Sequence, residues 1–314
     1  MRAYTLRRLL FFVPVLLIAS AVTFFAVNII PGDPAVLRLG QEATPEEMAS
    51  FRKLHGLDRP ITQRYGEWLW GMVRGDPGKS MMGGQSIKSE LSNRFPVTLT
   101  IMFFSFVFAT FMGVAFGIVA AVFQDRPFDY FVRTFSIFGL SVPSFFTLTL
   151  LMLVPAILWR YAPPFGYVPF WEDPWRATRQ IIPPTFILSI GSSAVLMRLT
   201  RSSLLEVLRE DYIRTARAKG LHERVVLLRH ALKNATIPVL TVAGAMIAGL
   251  LGGSVILENI TSLPGLGQYF FTATVQSDVN VIMALVTYSA FLVMTSHLVV
   301  DLLYGYFDPR IRYR

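Results

Sequence analysis

The chain has 314 residues, 53% of them hydrophobic and only 16% charged, with a mean hydropathy of +0.51. Those proportions exclude an ordinary soluble domain and describe a polytopic membrane protein. The net charge of +9 gathers beside apolar spans, which argues against nucleic acid as a partner, and the absence of cysteine rules out disulfides, thiolate catalysis and cysteine-based metal sites.

The N-terminus begins with a basic stretch like that of a signal peptide, but its apolar run continues to Ile30. That run is long enough to span a bilayer, so a retained first helix is expected over residues 9–30. Pro31-Gly32-Asp33-Pro34 ends it, because two prolines and a glycine cannot continue a helix. Residues 31–95 form a mostly polar outer segment. Thr44-Pro45-Glu46-Glu47 predicts an N-cap with proline at the first helical position. Tyr65, Trp68, Leu69 and Met72 share one face of a second helix over 63–73.

The membrane core follows over 96–303, with a short tail at 304–314. A second span is expected over 97–123 and a third over 131–158, with Pro143 and Pro155 as kink points. Residues 159–180 have the proline and aromatic content of an interfacial loop. The fourth span, 181–199, is the weakest. Its Pro183, Pro184, Gly191, Ser192 and Ser193 predict a helix that faces other helices or a cavity. A fifth span over 237–257 carries Gly244, Gly249, Gly252 and Gly253, which permit close helix approach; a sixth covers 281–303. The fold class is therefore all-α, with six transmembrane helices and an outer subdomain after the first. Arg2, Arg7 and Arg8, then Arg126 and Arg133, then the 200–236 loop, then Arg310, Arg312 and Arg314 fall on one side. The positive-inside bias makes that side, and both termini, cytoplasmic.

Residues 210–238 are the most informative stretch. Arg214, Arg217, Lys219, Arg224, Arg229 and Lys233 crowd it, against Glu210, Asp211 and Glu223. Leu205, Leu208 and Tyr212 keep helical spacing, as do Leu221, Val225, Leu228 and Leu232 after Gly220. Two short amphipathic helices broken at a glycine are predicted, a shape suited to docking. Such a basic loop could also lie on anionic lipid, which accounts for the charge but not for the break or the second stripe.

Three other patterns invite chemistry. Gly78-Lys79-Ser80 resembles the end of a phosphate-binding loop, but Val73 stands where the first glycine is required. Gly191-Ser192-Ser193-Ala194 with His297 imitates an intramembrane serine protease dyad, although Ala194 and Val300 depart from the rhomboid pattern. His297 and Asp301, four apart, would suit a proton-coupled secondary transporter, or a structural network near the interface. His55, His222, His230 and His297 are too scattered for a metal site, and no cofactor motif is present.

The run from Tyr212 to Leu221, then His230-Ala231-Leu232 and Ile237-Pro238, resembles the EAA loop of binding-protein-dependent ABC importer permeases. It is most similar to the B-type subunit of the dipeptide/oligopeptide/nickel group. The Glu-Ala-Ala triplet falls on Arg214-Thr215-Ala216, so a role for that glutamate does not carry over. Pro31-Gly32-Asp33-Pro34, Gly56-Leu57-Asp58-Arg59-Pro60, Arg74 to Ser80, Pro264-Gly265-Leu266-Gly267 and Asp301 to Tyr304 extend the resemblance over essentially the whole chain. Asp278-Val279-Asn280 departs from the Asp-Tyr-Pro of many relatives.

The resemblance implies a non-enzymatic permease subunit in a prokaryotic inner membrane. Its partners would be a second, C-type permease, two ATPase subunits and an extracellular or periplasmic substrate-binding protein, with lipid around it and no nucleic acid. The substrate would be a di- or oligopeptide; nickel or metal complexes and oligosaccharides stay open. The implied coupling residues are Tyr212, Ile213, Arg214, Ala216, Arg217, Lys219, Gly220, Leu221 and Arg224. Tyr212, Ile213, Ala216 and Leu221 would be the apolar anchors in an ATPase groove, with the cations at its rim.

Overall fold

A computed structural model describes residues 2–29, 33–40, 42–161, 167–169 and 172–307, with the side chains of residue 8 and of 10–299 within those ranges. Among the described residues the chain is helical throughout and has no strand, only an isolated bridge between Lys79 and Ser86. Among the described residues five helices are long and apolar enough to cross a membrane, and a bent pair makes six if it counts as one span. Two compact units result, one from Met1–Thr98 with Pro264–Leu298 and the other from Leu99–Leu263 with Val299–Arg314.

The first unit starts with α1 (Arg2–Ile29). Asp33 then caps α2 (Pro34–Leu39) by accepting from the Ala35 amide at 2.9 Å. Thr44 caps α3 (Pro45–Leu54) in a reciprocal box: Glu47 N–H donates to Thr44 Oγ1 at 3.3 Å, and Thr44 N–H to Glu47 Oε2 at 2.9 Å. The helix α4 (Ile61–Val73) lays Tyr65 and Trp68 against the buried Phe24 of α1, with ring centroids 5.3 and 5.5 Å apart. Arg64 donates to Asn28 Oδ1 at 2.7 Å. The start of α5 (Ile87–Val122) packs Ile87 and Leu91 on Leu266 and Ala273 of α12 (Leu266–Val275) and on Val281 and Leu285 of α13 (Val279–Phe307).

The Gly78-Lys79-Ser80 sequence has a structural use here. Buried Asp278, just before α13, accepts from the Ser80 hydroxyl, from Met81 N–H at 3.2 Å and from Met82 N–H at 3.3 Å. Asn280 donates to the Lys79 carbonyl at 3.0 Å. Asp278 and Asn280 thus fasten the turn that carries the lysine and serine.

In the second unit the third expected span is not one kinked helix. The helix α6 (Pro127–Ser141) and α7 (Ser144–Trp159) meet at 94°. Val142 is extended (φ −95°, ψ 120°), the conformation imposed on a residue before proline, and the helix restarts only after Pro143. Pro155 lies inside α7 and does not break it. The helix α8 (Pro174–Leu208) absorbs Pro183 and Pro184, and 61% of its most apolar window is buried, against 11–33% for the other long helices. The small and polar residues of the fourth span therefore do face protein. A Cβ at Gly117 of α5 would sit 2.6 Å from Thr200 Cβ, so only glycine lets α5 and α8 come this close. In the fifth span Gly253 meets Leu188, whereas nothing lies within 4 Å of a Cβ at Gly249 or Gly252.

Candidate functional site

Residues 210–238 begin with α9 (Asp211–Ala218), whose first turn carries Asp211 and whose last turn carries Arg217, as the helix dipole favours. Arg214 donates to Asp211 Oδ1 at 3.2 Å. The helix ends in a Schellman turn. Gly220 N–H bonds the Arg217 carbonyl at 2.9 Å and Leu221 N–H the Ala216 carbonyl at 3.4 Å. That closure needs the left-handed φ of +78° at Gly220, which explains the glycine. Arg217 then grips Glu223 through two bonds, Nε to Oε2 at 3.1 Å and Nη2 to Oε1 at 2.6 Å, which staples the turn. His222 Nδ1 caps the next helix by accepting from Arg224 N–H at 3.2 Å.

That next helix is not a second short one. The turn α10 (Glu223–Val225) runs through a π-helical stretch (Val226–Ala231) into α11 (Leu232–Thr261), giving 39 continuous helical residues, Glu223–Thr261. Neither glycine nor proline interrupts it before Pro238, so the chain has no reason to stop. The stripe read from the sequence divides: Leu232 packs on the core, and Leu221, Val225 and Leu228 do not. Val226, Ala231 and Ala235 are the residues buried, together with Ile213, Ala216, Leu204 of α8 and Ala121 of α5. Leu221, Val225 and Leu228 stay 40%, 39% and 66% exposed, as does Tyr212 at 42%. The π stretch offsets the register of the residues that follow it, and helical spacing alone does not reveal it.

The structure thus divides the sequence-derived residues into two sets. Ile213 and Ala216 are buried in the chain's own core, so they fix α9 in place and are not free to enter a partner's groove. Tyr212, Arg214, Arg217, Lys219, Gly220, Leu221 and Arg224 are exposed. Lys219 and Arg224 have no described side-chain partner, whereas Arg217 is committed to Glu223. Sequence reasoning missed Asn234, which donates to Tyr212 Oη at 2.8 Å and ties α9 to α11. Nor did it name Leu228 among the coupling residues, although that side chain is exposed.

The competing readings fare differently. Ser193 is buried and donates its hydroxyl to the Ile190 carbonyl at 2.8 Å, and no described hydrogen bond joins it to a histidine. His297 is exposed on α13, while the side chain of Asp301 lies outside the described residues. Among the described residues, no group of three or more His, Cys, Asp or Glu could hold a metal ion.

Residues 113–313 match the family described as binding-protein-dependent transport system inner membrane component, and residues 1–102 match that family's N-terminal component. The chain is 39% identical, over 313 residues and the full length of both, to a Brucella abortus (strain 2308) protein provisionally named a peptide transport system permease. It is 37% identical to a dipeptide transport system permease of Alkalihalophilus pseudofirmus over 339 residues, and 38% identical to an oligopeptide transport system permease of Bacillus subtilis (strain 168) over 318. Those two matches also cover the whole of both chains.

Proposed function

Because the chain belongs to the family of binding-protein-dependent transport system inner-membrane components, we propose that it is a permease subunit that imports di- or oligopeptides and is driven by separate ATPase chains through residues 210–238. The carrying observation is the division just described. Ile213 and Ala216 lock α9 to α5, α8 and α11, while Tyr212, Leu221, Val225 and Leu228 present apolar surface beside Lys219 and Arg224. A helix held this way moves with the span helices as one lever, and its outer face suits a groove with an acidic rim.

In this reading ATP-driven closure of two ATPase subunits displaces α9, and the spans switch between inward- and outward-facing states. A partner can shift that equilibrium only by binding the two states unequally. A second permease would complete the pathway, and a substrate-binding protein would deliver peptide at the outer segment. Both termini and residues 210–238 would be cytoplasmic, the side that the distribution of arginine and lysine favours. Peptide is favoured as substrate because the relatives above are named for peptides, dipeptides and oligopeptides.

The test is Leu228→Glu and Leu221→Ala, both exposed and neither side chain needed to close the core. With the companion subunits in proteoliposomes, losing an interface anchor should cut peptide uptake and peptide-stimulated ATP hydrolysis about ten-fold. Unchanged uptake and stimulation with both variants would remove the coupling role.

A further inference from the structure

A second polar cluster lies in the same unit, between α6 and α8. Asp129 of α6 is fully buried and receives Arg201 of α8 in a bidentate pair, Nε to Oδ1 at 2.6 Å and Nη2 to Oδ2 at 2.8 Å. Arg133 also bonds Asp129, Nε to Oδ1 at 3.2 Å, and reaches Asp125 Oδ1 at 2.7 Å. The Asp125 amide completes the carboxylate's shell at 2.9 Å. Two guanidinium groups are therefore held in fixed places by one buried anion. Arg198, a turn before Arg201, is exposed and has no described partner. Three arginines against two aspartates leave an excess positive charge.

These arginines line a cavity of about 570 Å³, and the rest of its wall includes Leu140, Val195 and Leu199. Its polarity is graded. In α6 the step from Arg133 to Leu140, and in α8 the step from Arg198 back to Val195, both lead away from the polar connections and into apolar helix. Counted from Ile181, ~20 residues cross the hydrocarbon core, which puts Arg198 and Arg201 where the span meets the headgroups.

We propose that this cavity binds the phosphate of an anionic phospholipid, with the acyl chains below it against Leu140 and Val195. Guanidinium forks match phosphate oxygens, and basic pockets between span helices suit such headgroups. A peptide or protein occupant would not need arginine at headgroup depth with leucine and valine beneath it. The inference rests on the membrane setting alone and stands whatever the substrate.

The intact transporter complex is reconstituted in phosphatidylethanolamine vesicles with or without phosphatidylglycerol, and retained lipid is counted by native mass spectrometry. Arg198→Gln should lower retained phosphatidylglycerol about five-fold. Arg198→Lys, a point charge without the fork, should lower it less, and phosphatidylethanolamine should not change. Inorganic phosphate should not displace the lipid; if it does so in full, the site is one for free anion and the lipid assignment fails. Equal retention by wild type and Arg198→Gln also overturns the proposal. Because the chain has no cysteine, Val195→Cys adds a single labelling site on it. Reaction with a membrane-partitioning maleimide supports a lipid-filled cavity. Reaction only with a water-soluble one, or protection by a neighbouring subunit, refutes it.

Discussion

Around Ser80 the acidic group is Asp278, buried and holding a hydroxyl and two backbone amides of residues 80–82. In residues 210–238 the acids Asp211 and Glu223 are exposed, and the arginines that meet them are exposed too. Both segments are polar and both adjoin apolar helices, but they handle charge in opposite ways. The first turns its anion inward and fastens a turn. The second fastens itself with Ile213, Ala216 and a glycine turn, and keeps its charge outside. A buried ion whose partners are fixed makes structure rigid, whereas an exposed ion adds little stability and stays available for recognition.

The sharpest way to break the contrast is Asp278→Ala. Four donors, the Ser80 hydroxyl and the amides of Met81, Met82 and Val281, would lose a charged acceptor at a buried carboxylate, a destabilisation of about 3–5 kcal/mol. Thermal unfolding of the purified protein reads it, and Asp278→Asn should fall between. A change near zero would mean that the turn around Ser80 holds without its anion.

Gly220→Val comes next. A Cβ there meets nothing within 4 Å, so the cost is backbone strain alone, about 1–2 kcal/mol. Gly220→Asn, which tolerates the left-handed region, should recover most of the stability. If α9 is a lever, peptide uptake should drop far more with valine than the unfolding temperature does. Equal, small effects on both would make Gly220 a turn residue and nothing more.

Third is the exposed staple. Arg217→Gln and Glu223→Gln should each change stability by less than about 1 kcal/mol, and a double-mutant cycle should give a coupling of ~0.2–1 kcal/mol. If the charges serve recognition, uptake at low salt should fall in Arg217→Gln while unfolding barely moves. The charge-swapped pair Arg217→Glu with Glu223→Arg should restore the staple but not the uptake.

Much of this architecture could be read along the chain, and what could not shares one cause. The spans, the capping box at Thr44 and the break at Gly220 follow from residues within one or two turns of each other. Arg201 and Asp129 lie 72 residues apart, and Asp278 and Ser80 lie 198 apart, so nothing local pairs them. Pro143 marked a kink, but its angle of 94° is set by how α7 packs on α8 and α11. The sharpest lesson is at the site itself. Spacing put Leu221, Val225, Leu228 and Leu232 on one stripe, and the structure leaves the first three exposed while Leu232, past a π-helical stretch of six residues that no composition rule announces, packs on the core. Burial also changes which residues a partner could touch, since Ile213 and Ala216 leave the list and Leu228 joins it.

The smallest expected effect concerns His55, and it tests whether the inward-facing charge around Asp278 reaches beyond its own turn. Burial pushes the His55 imidazole below its ordinary value of 6.5, and the negative charge of Asp278 opposes that shift without cancelling it. In the folded protein His55 therefore stays neutral at a pH where the unfolded chain has already taken up its proton. Stability should be full above the unfolded value, decline as pH falls through 6.5, and stop declining below the folded value. Unfolding temperatures measured from about pH 8 to about pH 5 should show a shallow drop that His55→Phe abolishes. In Asp278→Asn the opposing charge is gone, so the decline should extend to lower pH even though the protein starts less stable. A pH profile that keeps its shape in that variant would mean that Asp278 acts only through its hydrogen bonds. The inward charge would then be a local fastener, with no electrostatic reach to the end of α3.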